Sequence, residues 1–393
     1  MLCMGMLSMW AVPAKRVAIE VKQPDGTVLT LTYGGDEYFS YLYTDDGAMV
    51  RRVGDAYYYL HIEGGEVKPS ARLAHNRALR TPDEVRFVEA LPRKAEMMEV
   101  ALAAGERAQG RRQAQPQRAG EVPSTGEVRV PVVLVQYADV KFSASDPKAI
   151  FEGHVNGDDY KTEGGYGSVK EYFEDQSEGA FIPKFDVLGP VTLKNKMDHY
   201  GGNDKNGSDK NPRAMITEAC ELLDKQENVN FARYDNDRDG YVDIVYVLYA
   251  GYGEASYPDK LEDTVWPHQW SLAAPMELDG VKVMKYACNN ELNGYRGTTI
   301  DGIGTFCHEF SHCLGLPDFY PTDGSSGFGM NCWSLMDYGS YNNDGRTPCG
   351  YTGYEKDFLG WRPLVEINGA STITLTAMSE GGQIGRASCR ERV

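Results

Sequence analysis

The sequence predicts an α+β protein, a small β-rich unit ahead of a larger unit of strands and helices, on three observations. Short runs of β-branched and aromatic residues between glycine turns fill the first part of the chain. A near-continuous apolar run of strand length, VRVPVVLVQY, begins abruptly at Val128. Beyond it, segments of helical periodicity lie among further apolar strand-like runs. The 393 residues, at roughly 150 per domain, suit two or three domains with at least one full core. Forty Lys and Arg against 57 Asp and Glu leave a net charge of −17, which argues against a nucleic-acid binder with a basic face. No apolar run reaches the roughly 20 residues of a membrane span.

The N-terminal residues 1–14, MLCMGMLSMWAVPA, are apolar and end in small residues at Val12 and Ala14, as the hydrophobic part and cleavage site of a secretory signal do. Residues 15–104 form the β-rich unit, with strand-like runs at 17–21, 28–32 and 57–61, turns at Asp25-Gly26, Gly34-Gly35 and Asp46-Gly47, and a helical stretch over 82–104. Residues 105–126 lose nearly all aromatic and branched side chains and carry Arg107, Arg111, Arg112 and Arg118, which reads as a flexible, cleavable linker. The main domain spans 127–366, with a buried strand from Val128, an amphipathic helix over 212–224 and a second buried strand over 241–250. Residues 367–383 open a further β segment, and 384–393, IGRASCRERV, are a basic break in an acidic chain that reads as a non-native tail. Cys220, Cys288, Cys307, Cys313, Cys332 and Cys349 are compatible with disulfides of an exported protein or with free buried thiols, and none lies in a C-x-x-C pair.

The chemistry concentrates in TFCHEFSHCLGLPDFY, residues 305–320. His308 and His312 stand four apart, so on a helix both imidazoles share a face and reach one zinc ion at about 2.0–2.1 Å, with Glu309 beside the open position. Zinc lowers the pKa of a bound water towards about 7, and a neighbouring carboxylate takes the proton as the water attacks a carbonyl and returns it to the leaving amine. Two histidines hold zinc poorly. Gly315 stops the helix and turns the chain, so Asp318 swings back as the third ligand. A distant carboxylate, Glu355, is the alternative third ligand, of the thermolysin kind. A second metal candidate is Asp235-x-Asp237-x-Asp239-Gly240-x-x-Asp243, where alternate carboxylates around a glycine turn suit calcium, although Tyr246 replaces the EF-hand glutamate. His268 and Glu291 are assigned no chemistry, and His61, His75, His154 and His199 read as structural or surface residues.

The run H-E-x-x-H-x-x-G-x-x-D is similar to the metzincin signature with Asp in place of the last His, and the segment from Ser334 to Tyr338 is similar to its Met-turn. The whole resembles the immune inhibitor A-like family of secreted bacterial metallopeptidases. The likeness extends to Ser168-Val169-Lys170-Glu171-Tyr172-Phe173, Tyr234-Asp235-Asn236-Asp237 and Trp266-Pro267-His268. In the β-rich unit it takes in Gln23-Pro24-Asp25-Gly26 and Gly35-Asp36-Glu37-Tyr38-Phe39. It covers residues 15–361 and is strongest over 304–341; Cys307, Cys313 and Ser311 are departures.

The resemblance implies a metzincin-like zinc metallopeptidase domain with a mixed sheet and an active-site helix, preceded by a pro-region. It implies Met336 as an apolar floor, Gly315 between two half-domains, and Tyr338 as a residue that touches the metal or steadies the oxyanion. The reading is a secreted or cell-surface zinc endopeptidase made as a zymogen, with protein or peptide substrates and zinc, and calcium in the acidic loop. In the latent state a pro-region acid, Asp36 or Asp45, takes the place of the water. The alternative from another class is a secreted, calcium-stabilised surface or adhesion protein with a vestigial metal site.

Overall fold

The computed structural model describes residues 11–36, 39–103, 122–161, 164–204, 208–227, 229–258, 261–322, 329–367 and 385–387. Residues 1–10 of the expected leader, residue 104, 105–121 of the expected linker and 368–383 of the further β segment lie outside these.

The β-rich unit is a six-stranded antiparallel meander of β1 (Ala18–Lys22), β2 (Val28–Gly34), β3 (Tyr41–Tyr43), β4 (Met49–Val53), β5 (Ala56–Glu63) and β6 (Glu66–Leu73), paired in chain order. Buried Gln23 ties its ends together: the side-chain amide donates to Tyr57 O (2.9 Å) and Ala74 O (2.8 Å) and accepts the Tyr57 N–H (3.0 Å). The strand-like runs match β1, β2 and β5. Strand β6, EVKPSARL, escaped them because this edge strand is half-buried, charged and interrupted by Pro69, so it lacks period-two alternation. The helical stretch is two helices, α1 (Pro82–Glu89) and α2 (Lys94–Ala103), broken at Leu91-Pro92 because a residue before proline is pushed out of the helical region.

The main unit is built on a mixed sheet. Strands β7 (Gly126–Gln136), β8 (Phe181–Thr192), β9 (Tyr241–Val242), β10 (Val245–Tyr252), β11 (His268–Leu278) and β12 (Val281–Leu292) run in the order β11-β12-β10-β7-β8, with β9 beside β12. All neighbours are parallel except the β11–β12 hairpin, whose Asp279-Gly280 turn has both residues at positive φ, 51° and 81°. Helices α3 (Pro147–Asn156), α4 (Val169–Gln176), α5 (Met197–Tyr200), α6 (Pro212–Glu227), α7 (Ile303–Cys313) and α8 (Gly353–Phe358) complete it. The apolar run over 241–250 proves to be two strands, interrupted at Asp243, which accepts the Asn236 N–H. A short parallel pair, β13 (Val365–Ile367) and β14 (Gly385–Ala387), closes the described chain; β14 lies in the segment read as a tail.

Central strands read as unbroken apolar runs because both faces are covered. In β10, Tyr246, Leu248 and Ala250 point to the core under α3, α4 and α7, while Val245, Val247 and Tyr249 point to the core under α6. Against the first core α7 lays Phe306, Cys307 and Phe310; Phe306 stacks on Tyr246 with centroids 3.7 Å apart. A third core joins the β-rich unit to the main one: Ala11, Val12, Ala14, Leu31, Tyr33 and Tyr59 pack with Ala255, Tyr257, Leu261 and Trp266.

Two outcomes follow. Phe173 is fully buried, with its ring 5.7 Å from Phe181 and 5.2 Å from Phe310, so Phe173→Ala should destabilise the main unit by about 3–5 kcal/mol, read as a lowered denaturation midpoint. His75, read from sequence as isolated, instead bridges Asp25 (2.7 Å) and Glu84 (2.9 Å). Burial acts to lower its pKa, but the two carboxylates outweigh this and raise it above 6.5. The pair of bridges therefore stabilises fully below pH 6.5 and is lost as pH rises through the raised value, and His75→Gln should flatten that decline in a melting series.

Candidate metal centre and peptide cleft

Helix α7 starts from Gly302 and packs its first turn against the 338–346 loop so closely that a Cβ on Gly304 would lie 1.9 Å from Ser340 O. This abutment fixes the height of the helix. One turn on, His308 and His312 project from the same face, both buried, with rings at 87°. The Nδ1 of His308 donates to Leu335 O (2.8 Å) and that of His312 to Leu316 O (2.7 Å). A carbonyl only accepts, so each ring carries a proton on Nδ1 and turns its Nε2 inward. The two Nε2 atoms lie 3.0 Å apart.

Gly315, at φ +97°, supplies the left-handed turn that ends the helix, and the returning chain brings Asp318 Oδ1 to 3.2 Å from His308 Nε2 and 3.3 Å from His312 Nε2. Asp318 Oδ1 is buried and accepts no hydrogen bond. Burial pushes the Asp318 carboxyl up, yet the imidazoles beside it outweigh this and hold it below the usual value, while burial pushes His312 down towards its neutral form. Three ligand atoms, two imidazole nitrogens and one carboxylate oxygen, thus face one point, a set of the kind, count and spacing that zinc takes. Glu309, also fully buried, stands beside this group. Met336 is buried, and its carbonyl accepts the Phe319 N–H (2.7 Å), fixing the residue after Asp318.

The cleft beside these residues holds the chain's own N-terminal segment. The Val12 N–H donates to Glu309 Oε1 (2.8 Å). Three side chains then hold three successive carbonyls: Tyr320 OH binds Ala11 O (2.8 Å), Trp266 Nε1 binds Val12 O (3.0 Å) and Tyr341 OH binds Pro13 O (2.8 Å). Further along, Lys15 Nζ pairs with Asp344, and the Arg16 guanidinium lies 3.8 Å over the Tyr338 ring. Residues 11–14, read from sequence as the end of a leader, are buried here.

The other expected residues fall as follows. Tyr338 is brought to Arg16 rather than to the three donors, and burial pushes its hydroxyl up to about 12. Glu355 is engaged elsewhere: it accepts Ser334 Oγ (3.1 Å) and the Thr352 N–H, capping α8. Asp36, one of the two acids expected at the water position, is buried and accepts the Phe39 N–H (3.3 Å), and Asp45 is exposed; Glu309 accepts the backbone N–H of Val12. His268 is buried and steadies Trp266 by donating to its carbonyl (2.6 Å), and Glu291 accepts from Ser143 and Gly251. Asp235, Asp237 and Asp239 bring one oxygen each within 4.8 Å of one another, whereas Asp243 accepts both the N–H and Nδ2 of Asn236, and burial pushes its carboxyl up to about 7. The six cysteines among the described residues are free thiols. The sequence reading gave Trp266, Tyr320 and Tyr341 no role; Tyr320 lies inside the active run, two residues past Asp318, but nothing in the spacing marks it.

A family model for the immune inhibitor A peptidase M6 catalytic domain matches residues 150–362. Among curated proteins, immune inhibitor A of Bacillus thuringiensis subsp. alesti is 29% identical over 304 residues, 63% of this chain and 44% of that protein. The pre-pro-metalloprotease PrtV of Vibrio cholerae serotype O1 is 29% identical over 214 residues, 49% of this chain and 23% of that protein. The chain therefore spans less than half the length of either relative. No helix among the described residues is long and apolar enough to cross a membrane. With β8 to β12, the active helix and the Asp318 turn inside the matched stretch, the chain belongs to the immune inhibitor A family of M6 peptidases.

Proposed function

We propose that the chain is a zinc-dependent endopeptidase, secreted or displayed at the cell surface, that hydrolyses peptide bonds of extracellular proteins and is made as a latent zymogen. The observation that carries this is the convergence of His308 Nε2, His312 Nε2 and Asp318 Oδ1 on one point beside Glu309. Residues 15–104 are the pro-region and 127–366 the metzincin-like catalytic domain. His308, His312 and Asp318 would hold zinc, which supplies a Lewis acid and a water acidified towards about pH 7. Glu309 takes the water's proton and delivers it to the leaving amine. Met336 and Gly315 keep the ligands in place. The vestigial-site alternative finds no support in a donor set this complete.

Latency follows from the occupied cleft. While Val12 donates to Glu309, the base is engaged and substrate is excluded, and the segment is anchored by three carbonyl contacts and by Lys15 and Arg16. The Asp235, Asp237 and Asp239 loop is the calcium candidate, the hard-oxygen set that remains once Asp243 is bound to Asn236.

Two experiments test this. With zinc quantified alongside casein hydrolysis, Glu309→Ala should keep its zinc and lose about 10²–10⁴-fold in rate, while Asp318→Ala should lose zinc; equal hydrolysis by wild type and Glu309→Ala would remove the mechanism. Val12→Pro deletes the N–H on Glu309, a bond to a charged group worth about 1.5–3 kcal/mol, so basal hydrolysis by the uncleaved chain should rise about 10- to 100-fold. An unchanged basal rate would show that the segment does not restrain the enzyme.

A further inference from the structure

The Ala11–Val12 peptide unit is held at both ends by side chains of the site: its N–H by Glu309 Oε1 (2.8 Å) and its C=O by Tyr320 OH (2.8 Å). In a trans peptide these groups point in opposite directions, so the two contacts fix the unit across the cleft between Glu309 and Tyr320. Glu309 is where a leaving nitrogen must lie to receive a proton. The carbonyl of that same unit is the one attacked. We propose that Tyr320 is a catalytic residue of the peptidase, the hydroxyl donor to the carbonyl oxygen of the peptide bond being cleaved, and that Trp266 and Tyr341 bind the next two carbonyls of an extended substrate. This rests on the metallopeptidase reading.

The chemistry assigned to Tyr320 is specific. The water oxygen bonds to the carbonyl carbon and its proton passes to Glu309; the carbonyl π pair moves onto the oxygen, where the Tyr320 O–H receives it. The carbonyl then re-forms, the C–N bond breaks with its pair on nitrogen, and nitrogen takes the proton from Glu309. A hydroxyl aimed at that oxygen stabilises the transition state more than the ground state, because the charge appears only there. Tyr320 is built for the position: the Phe319 N–H is fixed on Met336 O, and Gly329 allows the 319–320 backbone to pass where a Cβ would lie 2.8 Å from Phe319 O. Tyr338, the residue the metzincin resemblance offers for this role, lies instead beneath Arg16, beyond the three carbonyl contacts. Because carbonyls are common to every sequence, Trp266 and Tyr341 read the main chain; the substrate class is extended polypeptide with small apolar residues where Ala11, Val12 and Ala14 are buried, and a basic residue facing Asp344.

The test is steady-state hydrolysis of an internally quenched peptide by the full-length chain carrying Tyr320→Phe or Tyr338→Phe, each with and without Val12→Pro, with zinc content and melting temperature read on the same preparations. Tyr320→Phe should lower kcat about 10²–10³-fold at unchanged zinc content and melting temperature. The apparent KM should not rise, because the same substitution loosens the competing N-terminal segment. An undiminished kcat in Tyr320→Phe with active wild type overturns the assignment and leaves the peptidase reading standing. So does a kcat loss confined to Tyr338→Phe. Hydrolysis absent throughout, Val12→Pro included, overturns the peptidase reading and this proposal with it.

Discussion

Everything at this site depends on one electrostatic problem: three atoms that offer electron pairs are held against one another in a volume closed to water. Both Nδ1 protons are committed to the carbonyls of Leu335 and Leu316, which turns the two Nε2 atoms onto Asp318 Oδ1. The fold spends structure on maintaining this conflict. Glycines at the start and end of the helix, a loop pressed onto its first turn and a carbonyl beneath each histidine all hold donors where only a cation relieves them. The sheet's part is indirect, since its upper core receives the apolar flank of the helix and so sets the face that looks into the cleft.

Much of this was legible because the rules involved are local. The four-residue spacing of His308 and His312, the helix-stopping Gly315 and the return of Asp318 depend only on helix geometry and the conformational freedom of glycine, so the string carries them. The strand at Val128 and the helix at Pro212 were equally plain from period and composition. What escaped was long-range. That Val12 reaches Glu309 is a contact across 297 positions, and Tyr320, Trp266 and Tyr341 converge from three loops with no shared spacing. The expectation that an acid of the pro-region would reach the site borrowed a charge argument where the structure uses a backbone donor, which no side-chain pattern can announce. Tyr338 stands two residues past Met336, the place of a metal-facing tyrosine, and here its ring lies under the Arg16 guanidinium, a contact that no local spacing announces.

On the latency proposed above, the peptide contacts let one cleft serve inhibition and turnover. Side-chain donors that hold carbonyls do not distinguish the chain's own segment from a foreign one, so the two compete for the same places. On the same proposal selectivity resides in the flanks, where small residues are buried and Lys15 pairs with Asp344.

The third core has a thermodynamic consequence. Ala11, Val12 and Ala14 are not laid on a finished surface; they share an interior with Leu31, Tyr33 and Tyr59 of the β-rich sheet and with Tyr257, Leu261 and Trp266 of the cleft wall. Withdrawing the segment would dismantle that interior, so on the proposed latency opening the enzyme is a local melting event rather than the swing of a hinge. It carries the positive heat-capacity change of exposed apolar surface, grows steeply more favourable on warming, and leaves a bare aromatic wall that the next apolar peptide covers.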